Sequence, residues 1–112
     1  MIADIIFKEL IELNDEFYTK AQFSRDYLGK CRTYYNAIKT TNKTVSKTAL
    51  VYCWNRLRKD VKACDDRLAF AKHNWMVESV KERRAKLDIM SRWVLEALIE
   101  QGADESKQRT LH

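Results

Sequence analysis

The chain contains no proline and only two glycines in 112 residues, so it lacks the breakers that punctuate strand-and-turn proteins. Helix is the conformation such a sequence favours. It also lacks a long apolar run: the longest near the N-terminus covers residues 5–7, too short for a membrane span or for the apolar core of a secretory signal. A cytosolic protein without a membrane partner is therefore expected. Histidine is scarce, with two in the chain, one of them the final residue His112. No histidine and acid share a predicted face, and no glycine-rich loop could cradle a phosphate, so neither catalysis nor a cofactor is expected. The three cysteines, Cys31, Cys53 and Cys64, are odd in number, lack C-x-x-C spacing and fall in helical patterns, which reads as buried free thiols rather than a disulfide framework. Cys53, Cys64 and His73 lie eleven and nine residues apart, matching no standard zinc spacing, so no metal is expected either.

What is present is apolar and charged residue in quantity, 46% and 33% of the chain, too apolar for disorder. A chain this short has room for one core with an extension. The net charge of +5 is unevenly spread: residues 1–18 hold one base and five acids (net −4), residues 19–62 eleven bases and two acids (net +9), and residues 63–112 nine of each. The concentrated positive charge of the middle segment suits a polyanion, whose counterions it would release on binding.

Helical periodicity runs through most of the sequence. Ile2, Ile5, Ile6, Leu10, Leu13 and Phe17 recur at three- and four-residue intervals among Asp4, Lys8, Glu9 and Glu12, predicting an amphipathic helix over Ile2–Asn14 and a turn at Asn14 and Asp15. Thr19 and Gln22 have capping-box spacing and open a second helix, carrying Phe23, Tyr27 and Leu28, which Gly29 ends. A third helix over residues 32–39, with Tyr34, Tyr35 and Ile38, gives way to a polar loop at residues 40–44. Ser46 is a good N-cap for a fourth, in which Leu50, Cys53, Trp54, Leu57, Val61, Cys64 and Leu68 keep the spacing. Residues 65–101 hold no glycine or proline, and Val80, Leu87 and Val94 stand seven apart. One or two long helices are predicted there, with a break near residues 65–66 or 73–74 and a stop at Gly102. The expected organisation is a domain over residues 1–62, a helical extension over 63–102 and a polar tail over 103–112.

A short capped helix, a glycine turn and a second short helix bearing basic and amide side chains is the arrangement that presents a helix to the DNA major groove. Across residues 7–57 the sequence resembles the phage-repressor-like helix-turn-helix superfamily, the Xre or lambda-repressor type. Thr19 and Gln22 match the capped opening of that family's second helix, Leu28 and Gly29 its turn, Arg32 and Thr33 the opening of its recognition helix, and Tyr35 to Ile38 the apolar anchor. Ser46, Leu50 and Leu57 match the serine, and the leucines four and eleven residues on, of its next helix. The stretch from Phe23 to Gly29 is one residue longer than the common pattern, and Lys30 replaces an apolar residue. Phe23, Ser24, Arg25, Leu28 and Gly29, followed by Tyr34 and Tyr35, are also similar to a turn and double tyrosine shared by uncharacterised small bacterial proteins. The resemblance implies an all-α fold, a four-helix repressor-like domain followed by one or two long C-terminal helices. It implies a sequence-specific DNA-binding transcriptional regulator of bacterial, plasmid or phage origin that meets double-stranded DNA.

On that resemblance Arg32, Thr33, Asn36 and Lys39 form the exposed side of the recognition helix and would read base edges, arginine suiting guanine and asparagine adenine. Lys20, Gln22, Lys30, Lys43 and Lys47, at helix starts and in the loop, would meet phosphates. Neighbouring helical residues point about 100° apart, so Tyr35 is assigned to the core and Tyr34 to a phosphate. An ordinary solvated face is the plainer alternative for Arg32 and Asn36, as pure capping is for Gln22. Trp75, Met76, Val80, Leu87, Met90, Trp93, Val94 and Leu98 make an apolar set larger than a lone helix can cover. They are expected to form a homodimer interface that doubles the contacts on a two-fold operator; the alternative is that they fold back as extra core. A reading from another class is an inhibitor or adaptor that lays the basic helical face on another protein.

Overall fold

The computed structural model describes the backbone of residues 1–14 and 18–110, and the side chains of residues 1–13 and 18–102. Phe17, the turn at Asp15 and the last two residues of the expected tail lie outside the described residues. Among those described, the chain is all helical, with α1 Ile2–Asn14, α2 Lys20–Asp26, α3 Tyr34–Thr40, α4 Lys47–Phe70 and α5 Asn74–Thr110. None of these helices is long and apolar enough to cross a membrane.

Local chemistry sets most of the boundaries. The Gln22 amide donates to Thr19 Oγ1 at 3.1 Å and the Thr19 amide to Gln22 Oε1 at 3.0 Å, so the capping box closes and α2 begins. Gly29 takes a φ of 63° after α2, and a Cβ there would stand 2.6 Å from the Tyr52 ring on α4. Backbone conformation and close approach both call for glycine. Asn42 ends α3 with a φ of 54°, and the Lys43 amide donates to the Ile38 carbonyl at 3.0 Å, the longer hydrogen bond of a Schellman motif. Ser46 Oγ accepts the Ala49 amide at 3.2 Å and caps α4.

Helix α4 runs through residue 62 to Phe70, as its spacing through Leu68 predicts, and ends at residues 71–73, by the second of the two anticipated breaks. One expected boundary is corrected: helix α5 passes through Gly102 and on to Thr110. A glycine inside a helix costs only about 1 kcal/mol relative to alanine, and the residues beyond it include Ala103, Glu105, Lys107, Gln108 and Arg109, all good helix formers that carry the helix past it.

The three-residue connection makes α4 and α5 antiparallel neighbours. Cross-links confirm the opposite running order: Gln101 Nε2 donates to the Val45 carbonyl at 3.0 Å, Arg58 pairs with Asp88 at 2.7 Å, and Arg84 pairs with Asp65. Between the two helices Leu57, Val61 and Cys64 pack with Leu87, Met90 and Val94, all buried. Helix α1 adds Ala3, Ile6 and Leu10 to the same core and also touches α5, where Arg83 donates to the Leu13 carbonyl at 3.2 Å. One core therefore takes residues from all five helices, in a molecule of 59 × 29 × 17 Å.

That core overturns part of the expected dimer interface. Leu87, Met90 and Val94 are consumed within one chain, and Val80, Trp93 and Leu98 pack partly buried against the same cluster. The reason is that the apolar stripe of α4 continues past residue 62 to Val61's neighbour turn at Cys64, and burying it requires a second helix alongside. Only Trp75 and Met76 of the eight remain exposed. Leu87→Ala and Met90→Ala are expected to cost roughly 2–5 kcal/mol each, and Trp75→Ala under about 0.5 kcal/mol. Urea unfolding followed by far-ultraviolet circular dichroism distinguishes the two, and equal costs at all three positions would contradict this packing.

Candidate functional site

The middle segment, with its excess of bases, supplies α2, α3 and the turn between them. Aromatic rings build the floor beneath: Tyr35 meets Phe23 at 5.1 Å and Phe7 at 5.2 Å between ring centroids. Tyr35 and Ile38 are buried and fasten the inner side of α3. The Tyr35 hydroxyl donates to Asp4 on α1. Burial, and then this bond, push the phenol's pKa up, so the ring stays neutral in its packed position.

The start of α3 is held from outside the helix. Thr33 occupies the N-cap position but its side chain makes no capping bond. Instead Ser24, fully buried on α2, accepts the Tyr35 amide at 3.0 Å through Oγ and donates to the Lys20 carbonyl at 2.9 Å. One hydroxyl thus satisfies a free amide of α3 and ties the helix to α2. Sequence reasoning missed this residue, because a serine inside a helical pattern carries no sign of a partner eleven positions away.

Helix α3 begins at Tyr34, two residues later than expected, so Arg32 and Thr33 lie in the turn ahead of it. Arg32, Thr33, Asn36 and Lys39 are all exposed. Lys39 is the most engaged of the four, 3.8 Å from the Asp4 carboxylate and 5.9 Å from the Tyr35 ring centre, which draws it towards α1. Among the expected phosphate contacts, Lys20, Lys43 and Lys47 are exposed, and Gln22 is exposed while serving the capping box. Lys30 is half-buried, donates to Thr48 Oγ1 at 3.2 Å and sits 5.8 Å from the Tyr34 ring centre. Tyr34 departs from expectation: it is half-buried, and its oxygen accepts the Ser46 amide at 3.0 Å, so it braces the start of α4 instead of standing open. Arg25 is exposed on α2; the sequence marked it as one of the eleven bases of residues 19–62 and as part of the turn shared with small bacterial proteins, but assigned it no contact.

The cysteines also divide. Cys53 and Cys64 are buried as expected, whereas Cys31 is exposed in the α2–α3 turn. Burial pushes the Cys53 thiol up to about 12, while the Thr33 hydroxyl beside Cys31 holds that thiol below its ordinary value. Among the described residues, no three His, Cys, Asp or Glu side chains gather closely enough to hold a metal ion.

The chain belongs to a family of unknown function, DUF6626, whose model matches residues 6–108. Comparison with curated proteins and with solved structures finds no match.

Ser24→Ala leaves the buried Tyr35 amide without a partner and is expected to cost about 1–3 kcal/mol in urea unfolding; no loss would mean that the hydroxyl does not hold α3. Alkylation of the native chain with iodoacetamide is expected to place a single adduct on Cys31, with Cys53 and Cys64 reacting only after unfolding. Mass spectrometry of a partial digest reads the site, and early labelling of Cys53 would contradict the burial described.

Proposed function

We propose that this member of the family binds duplex DNA sequence-specifically, as a transcriptional regulator, by laying α3 and the turn before it in the major groove. The observation that carries the reading is the division of this segment into two sides. Tyr35 and Ile38 lock one side of α3 into the core, while Asn36 on the helix and Arg32 and Thr33 in the turn before it are exposed. In this reading α1 to α3 and the first half of α4 form a repressor-type helix-turn-helix unit. Arg32 and Thr33 reach base edges from the turn and Asn36 from the helix, an arginine and an amide being the side chains that form paired hydrogen bonds to guanine and adenine.

The surrounding charge supports a polyanionic partner. Lys20, Arg25, Lys43 and Lys47 are exposed around the same segment and suit phosphates, which set the docking register without selecting sequence. Lys39 also belongs to this set once its contact with Asp4 yields to a phosphate. Tyr34 acts indirectly, by holding the start of α4 against α3.

Selection of bound duplexes from a random pool tests the reading. Enrichment of a defined site is expected, with Arg32→Ala or Asn36→Ala costing roughly 1–3 kcal/mol of discrimination at one position. Lys43→Ala should weaken all sites alike and reduce the slope of log affinity against log salt by about 0.9. Bound duplex should also shield Cys31 from alkylation. No enrichment, together with no effect of Arg32→Ala, overturns the reading; a stoichiometric protein partner with no retention on heparin would point to a protein-binding inhibitor instead.

A further inference from the structure

We infer that the turn joining α4 to α5 is a docking surface for a second copy of the chain. Phe70 is 82% exposed and Trp75 73% exposed on either side of this turn, and Met76 is exposed beside them. Phe70 and Met76, with Ala71 and Val80, border an apolar groove of about 390 Å³, and Trp75 stands next to Met76 in the chain. His73 stacks on Trp75 with ring centroids 6.4 Å apart, so the indole leans on its own turn and not on the body of the molecule. Single exposed apolar residues are ordinary on a protein surface; two large aromatic rings and a methionine at one end of a helical hairpin form a patch that calls for cover.

The charges around the patch select the occupant. Asp66, Arg67 and Lys72 are exposed, and none of them forms an ion pair with another described residue. Both signs therefore stand open at one rim. A two-fold axis through the groove sets Asp66 of one copy opposite Arg67 or Lys72 of the other, and the reverse, which is the self-complementarity an isologous contact requires. A purely basic or purely acidic partner would satisfy one sign and oppose the other. The balanced charge of residues 63–112, nine bases and nine acids, adds no net repulsion between copies. An apolar centre of aromatic and methionine side chains inside a mixed polar rim has the composition of an interface.

The area sets the strength. Phe70, Trp75, Met76 and the groove offer on the order of 400 Å² of apolar surface per copy, about half of what each partner contributes to a standard interface. The dimer is therefore weak and concentration-dependent, with a dissociation constant in roughly the tens of micromolar. Its geometry leaves α3 free. The Tyr34 hydroxyl and Lys30 touch the first residues of α4, and the 24 residues of that helix put the turn about 36 Å away along its axis. Paired end to end, two copies hold their α3 helices up to about 70 Å apart, near two turns of a duplex. This last consequence rests on the DNA reading, whereas the docking itself does not.

Sedimentation equilibrium of the full chain, from about ten to several hundred micromolar, tests the inference. A monomer–dimer equilibrium is expected, weakened at least about tenfold by Phe70→Ser combined with Trp75→Ser while circular dichroism is unchanged. Asp66→Arg should weaken it too, and Asp66→Arg combined with Arg67→Asp should restore it, because the reversed pair is again self-complementary. A chain monomeric throughout, open-ended oligomers, or a dimer indifferent to both sets of substitutions overturns the inference. A monomer that still selects a DNA site defeats this inference alone, and a dimer without affinity for DNA defeats only the functional reading.

Discussion

The placement of α3 depends on one buried hydroxyl. A helix of seven residues cannot persist by itself, because nucleation costs more than so few hydrogen bonds return. Its own N-cap residue, Thr33, contributes no capping bond, so its free amides must be answered from elsewhere. Ser24 answers one of them and passes a second bond back into α2, which turns two short helices into one rigid piece. Tyr35 and Ile38 then supply the apolar attachment that neither helix could provide alone. The exposed side chains of the site inherit their position from these few inward contacts.

The second organising element is α4, which serves two partners along its length. Near its start Tyr52 lies under Gly29 and Leu50 and Leu57 receive the N-terminal helices, while Val61 and Cys64 carry the stripe onward to α5. The polar links between α4 and α5 set register more than strength. Arg58 bonds Asp88 and holds that carboxyl below its usual range, but the pair is largely open to water and contributes little to stability. The apolar seam of Leu87, Met90 and Val94 does most of the holding.

What was legible in the residues was what is encoded locally. The capping box of Thr19 and Gln22, the left-handed Gly29, the Ser46 cap and the periodicity of α1 all involve partners within a turn or two, so spacing suffices to find them. The exposure of Asn36, opposite Tyr35 and Ile38 on α3, follows from helical spacing of the same kind, whereas Arg32 is exposed from the turn ahead of the helix. The features that escaped depend on distant partners: Ser24 with Tyr35, Tyr34 with Ser46, Lys39 with Asp4. For Leu87, Met90 and Val94 the pattern showed correctly that they would be covered, yet an apolar stripe looks the same whether its cover is another helix of the chain or a second copy. At Gly102 the glycine signal was outweighed by the helix formers beyond it.

The unbroken length of α4 has an electrostatic consequence. About 36 Å of continuous helix is more than four times the distance over which physiological salt extinguishes a surface charge, about 8 Å. A highly charged ligand gripped at the α2–α3 end would be invisible to Asp66 and Arg67 at the opposite end. Any influence of one end on the other has to travel as a mechanical displacement of the rod, because the field between them is quenched by ions.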